Sequence, residues 1–251
     1  MDTENQTSPT PLAGRSQDMT SFRTPSGDYR DVEPEDANRP VPEQPGSDSW
    51  SIEMRYLPLA GYGHAFLVLR DPAGKIQREL HGLSRSRNNP DELLPLGSDG
   101  SRLSGVQTDR PYFDSPDGPP TTKLISTVYS GPYDDVVLGK WRSGLQAAAD
   151  MNGKNLDYKK SMDPGYLFGG DGGQIQNSNS GNYTFGKFMH LDLDSTLRNA
   201  GLHRTFPGWG RDLLDPTYRP YIARRRFPLT TGSEETHLTQ PKIGRARSPA
   251  R

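Results

Sequence analysis

Residues 51–86 read SIEMRYLPLAGYGHAFLVLRDPAGKIQRELHGLSRS, and their apolar residues arrive in the rhythm of strands. Ile52, Met54 and Tyr56 alternate with polar neighbours, as a half-buried strand requires. A second strand follows from His64 to Arg70, then a turn through Asp71, Pro72 and Gly74, then a third strand over 76–83. A four-residue turn sets Arg70 opposite Lys75 and brings His64 near His81, within two residues of register. An antiparallel meander of this kind commits the chain to a sheet that needs cover on at least one face.

The cover comes from downstream. Val136, Val137, Trp141, Leu145 and Ala148 recur at helical spacing, Asp134 and Asp135 suit a first helical turn, and Gly153 suits an end, which predicts a helix over 132–151. A further strand is predicted over 124–129. A second helix of about ten residues is expected to start near Asn179 or Ser180, with Tyr183, Phe185, Phe188 and Met189 on its buried face. Residues 84–122 are dominated by Asn, Asp, Pro, Gly and Ser and read as a long loop with strand pieces near 103–107. The fold class is therefore α+β, an antiparallel sheet packed against two helices.

Only 31% of the 251 residues are hydrophobic, with 27 Gly and 23 Pro, and the apolar residues crowd between Trp50 and Thr231. The domain reading is a disordered leader over 1–48, a globular domain over 49–230 and a disordered basic tail over 231–251. A net charge of -1 supplies no field for nucleic acid, and no nucleic-acid partner is expected. Apolar runs fall well short of the roughly 20 residues of a membrane helix, so no transmembrane segment is expected. The polar start MDTENQTSPT has no secretory apolar core, which leaves a soluble protein, cytoplasmic or exported by a specialised route.

The absence of cysteine removes disulfides, thiolate metal sites and thiol nucleophiles. No serine sits in Gly-x-Ser-x-Gly, Phe66 replaces the third glycine of a dinucleotide fingerprint in GYGHAF, and no phosphate-binding Gly-Lys loop occurs. Asp192 and Asp194 open like a calcium loop, but Leu197 and His203 occupy positions that such a loop gives to Gly and Glu, so DLDST reads as a cap or turn. The five histidines show no i, i+4 pair. No metal and no cofactor is expected.

One constellation is left. Ser178, in QIQNSNSGNYTFGKFM, stands just before the second helix, where free N–H groups and the helix dipole stabilise a developing oxyanion. A serine there needs a base, and His64 suits that role, with His81 or Glu79 orienting its imidazole and Asn177 and Asn179 binding the oxyanion. The same residues have structural readings. Ser178 or Asn179 suits a helix N-cap, Asn177 a side-chain turn, and His64 a buried strand histidine. His190 and His203 read as surface or packing residues, and Thr205 to Trp209 as a loop anchor.

The hairpin GHAFLVLRDPAGKIQRELHGL, the tryptophan helix and then QNSNSGNYTFGKFMHLDL resemble bacterial proteins with an NSNS segment in the circularly permuted papain-like superfamily, which holds cell-wall amidases and lecithin retinol acyltransferase-like enzymes. The resemblance covers about residues 61–193. It implies a permuted papain-like fold with His64 as base, His81 or Glu79 as orienting residue and Ser178 at the nucleophile position. It also implies a peptide, peptidoglycan or lipid substrate and a bacterial effector or cell-envelope setting. The family nucleophile is cysteine. The two functional expectations are thus an amide, peptide or ester hydrolase or acyltransferase with serine in its place, and an inactive papain-like binding module.

Overall fold

The computed structural model describes residues 30–38, 49–59, 61–114, 120–131, 135–160, 175–221 and 223. One antiparallel sheet of seven strands forms the frame: β1 (Arg30–Asp31), β2 (Trp50–Leu59), β3 (Tyr62–Arg70), β4 (Ile76–Arg85), β5 (Leu93–Leu94), β6 (Arg102–Thr108) and β7 (Lys123–Gly131). The spatial order is β1-β6-β4-β3-β2-β7, with β5 paired to β4. Among the described residues three helices accompany it, α1 (Asp135–Gly153), α2 (Ser178–Phe188) and α3 (Leu193–Asn199), plus a 3-10 turn over Pro34–Asn38. No helix among the described residues is long and apolar enough to cross a membrane.

Strand alternation sorts the side chains into two layers. Ile52, Met54, Ala65, Leu67, Leu69, Leu80 and Leu103 face one way and meet Trp141, Leu145 and Ala148 of α1 and Phe185 of α2. On the opposite face Leu83 and Val106 join Leu93, Tyr112 and Phe113 in a smaller cluster. Of the four apolar residues expected on the buried face of α2, Phe185 and Met189 are buried, Tyr183 is half-buried and Phe188 is exposed.

Two expectations need correction. Residues 30–38 belong to the folded body, not to a disordered leader: Val32 is fully buried, its N–H donates to the Gly105 carbonyl at 2.9 Å, and Asp31 pairs with Arg85 and Arg102. A two-residue strand has no periodic signature, and its partners lie more than fifty residues away. Second, 102–108 is an interior strand between β1 and β4, not a fragment within a surface loop. The turn register falls within the expected two residues, Arg70 pairing with Ile76 after a bulge at Leu69. Of the expected leader, 1–29 and 39–48 lie outside the described residues, as do the expected tail over 231–251 and residues 161–174.

Candidate functional site: a cleft at a fork in the sheet

β3 and β4 are paired from Leu67↔Leu80 to Arg70↔Ile76, and then part. On the β4 side the freed edge is taken up by β5, through Ser84↔Leu94 and Arg85↔Leu93. On the β3 side the Gly63 N–H donates to the Thr205 carbonyl at 2.9 Å, and Tyr62 bridges to Thr205. Between these prongs lies the start of α2.

The NSNSGN sequence explains how a helix end can fill a split sheet. Asn177 is the N-cap. Its side-chain oxygen accepts from the N–H groups of Asn179 (3.0 Å) and Ser180 (3.3 Å), and the Ser180 hydroxyl accepts from the Asn177 N–H in return. Asn179 reaches β3, accepting from the Ala65 N–H at 2.9 Å and donating to the Gly63 carbonyl at 2.9 Å. Asn182, one helical turn on, accepts from the Gly82 N–H of β4 at 3.1 Å and donates to the Ala65 carbonyl. Asparagine amides thus replace the ladder bonds that the parted strands no longer give each other. Gly82 is required by this closeness, since a Cβ there would stand 2.6 Å from the Ser178 carbonyl oxygen.

Ser178 belongs to the β4–β5 prong. Its hydroxyl donates to the Pro95 carbonyl at 2.9 Å and lies 3.4 Å from the Tyr158 hydroxyl. Burial pushes the Tyr158 phenol above its ordinary pKa, so it stays protonated.

His64 belongs to the β3 prong. It is 2% exposed, and neither ring nitrogen has a hydrogen-bond partner among the described residues. Its ring stacks at 6.1 Å from His81 and meets the edge of Phe113 at 5.2 Å. Burial first, and the proximity of His81 second, hold its pKa well below 6.5, so the imidazole is neutral at physiological pH. His81, fully buried, bonds to Glu79 at 2.9 Å, and that carboxylate also accepts from the Tyr112 N–H at 2.8 Å.

The sequence-predicted residues therefore come together only in part. His64 and Ser178 line one cleft, but no hydrogen bond joins them. His81 and Glu79 pair with each other rather than orienting His64 through a hydrogen bond. The amides assigned to an oxyanion already have partners: the Asn179 N–H is held by the cap, the Asn177 side-chain N–H groups by Pro207 and those of Asn179 by Gly63 and Pro207. Asn177, not Ser178 or Asn179, caps the helix. Asp192 does cap α3, accepting from the Ser195 N–H, as the cap reading of DLDST expects.

The cleft itself measures about 470 Å³. Apolar groups of Leu59, Tyr62, Pro95, Leu96, Ile175 and Pro207 make most of its wall, around His64, Ser178 and the amides of the α2 start, with exposed Lys160 at the edge. Sequence reasoning missed Asn182, Gly82 and the Pro95–Leu96 wall. Asn179 and Asn182 lie three apart on a helix that must face a strand, and that spacing was the available signal for a shared structural task. The cleft wall had none, because it is assembled from loops distant in sequence.

Comparison of the chain with family models, with curated proteins and with solved structures finds no match.

Proposed function

We propose that this chain is a binding module built on a papain-like plan, in which the cleft is used to hold a ligand and the catalytic step has been given up. One observation carries the reading: the Ser178 hydroxyl is engaged with Pro95 and Tyr158, while the facing histidine has no partner at either nitrogen. A serine nucleophile needs its proton accepted during attack, and His64 makes no contact through which to accept it. The cap and the two β3-bound amides leave few donors for an oxyanion. A cleft of several hundred cubic ångströms with mostly apolar walls and a few convergent polar groups has the make-up of a ligand site.

A second reading is an acyl hydrolase or transferase. It draws on the fact that His64 and Ser178 line the same cleft and that Ser178 is the first residue of an eleven-residue helix. In that case the serine hydroxyl would leave Pro95 for His64. Labelling with a fluorophosphonate probe separates the two. The binding reading expects wild type to label no more than Ser178→Ala; labelling that disappears in both Ser178→Ala and His64→Ala, with folding intact, establishes the hydrolase.

A further inference from the structure

The chemistry of the walls narrows what the cleft holds, and this step rests on the binding reading above. Three features agree on the sign of the ligand's polar end. The start of α2 carries the positive end of a helix dipole. His64 is almost wholly buried at the cleft with two unpartnered nitrogens, a desolvated donor that a ligand acceptor would satisfy. Lys160 adds an ammonium group at the rim, and no carboxylate occurs among the described lining residues. An anionic or strongly accepting head group is favoured, and a cationic one finds no carboxylate among the described lining residues.

The rest of the wall fixes the body. Leu59, Tyr62, Leu96, Ile175 and the two prolines offer aliphatic and aromatic surface. Tyr62 and Leu96 are also large apolar side chains left 54% and 41% exposed, a cost that a covering ligand would relieve. A phosphate would leave this surface bare, and a sugar would find too few polar partners for its hydroxyls.

We infer that the cleft binds a monocarboxylate with an apolar aryl or alkyl body, its carboxylate between His64 and the start of α2 and its body along Tyr62 and Leu96. The His64 N–H donates to one carboxylate oxygen, and Lys160 screens the charge from the solvent side.

Calorimetric titration of the full chain with 4-phenylbutanoate and with 4-phenylbutan-1-ol tests this. The acid is expected to bind about tenfold more tightly than the alcohol, the worth of one charge-assisted hydrogen bond. His64→Phe should remove that preference, bringing the acid's affinity to or below that of the alcohol, with circular dichroism confirming the fold. Lys160→Gln, at an exposed position, should weaken the acid alone by about threefold. Equal binding of acid and alcohol to wild type overturns the carboxylate and leaves the binding cleft standing. A preference for acid that survives in both variants overturns the placement. Failure of both compounds to bind at millimolar concentration overturns the monocarboxylate, and labelling of Ser178 by fluorophosphonate in addition overturns the binding reading itself.

Discussion

The two halves of the β3–β4 pair solve the same problem in different ways. From Leu67 to Arg70 the strands satisfy each other through backbone bonds, and any side chain that fits the layers will do. From Gly63 to Ala65, and at Gly82, the backbone bonds instead to Asn179, Asn182 and Thr205. The closed half is local and depends on a hairpin. The open half depends on particular amides a hundred or more residues away, and what it gains is a cleft where a continuous sheet would have had none. The start of α2 is bound up in holding the fork open.

This difference can be broken at graded cost. Asn182→Leu should destabilise most, by about 3 kcal/mol, because it strips partners from the buried Gly82 N–H and Ala65 carbonyl together; urea unfolding measures it, and Leu67→Val in the closed half should cost only about 1 kcal/mol. Gly82→Ala should follow at about 2 kcal/mol, since its Cβ would push on the Ser178 carbonyl. Asn177→Ala removes the cap of α2 for about 1 kcal/mol. The last effect is invisible at neutral pH. The folded-state pKa of His64 lies below 6.5, so the unfolded chain binds a proton that the folded chain refuses, and stability falls as pH drops through 6.5 until the folded pKa is reached. Unfolding free energies at pH 7.5 and pH 5 should differ less in His64→Phe than in wild type.

The meander, α1 and the nearness of His64 to His81 were legible because each follows from local periodicity or from a short turn. Arg30 to Asp36 was hidden because its stability comes from Gly105, Arg85 and Arg102, which nothing in the local sequence announces. The site was half legible. His64, Ser178, Asn177 and Asn179 were singled out for chemistry and do gather at one cleft, but the side-chain hydrogen bonds of the last three belong to the fork. A side-chain oxygen at a helix start looks the same in sequence whether it caps, bridges strands or attacks a carbonyl. What decides is the partner, and the partners here, Pro95, Gly63 and Ala65, offer backbone atoms that every residue type possesses.

Amide hydrogen exchange at Ala65 and Gly82, read by NMR against Leu67 in the closed half, tests the fork directly. Both amides should exchange as slowly as Leu67 in wild type, with Ala65 alone accelerated in Asn179→Ala and Gly82 alone in Asn182→Ala. Rapid exchange of Ala65 and Gly82 in the wild-type protein would mean that the asparagines do not hold the strands, and would return the start of α2 to the chemistry its sequence first suggests.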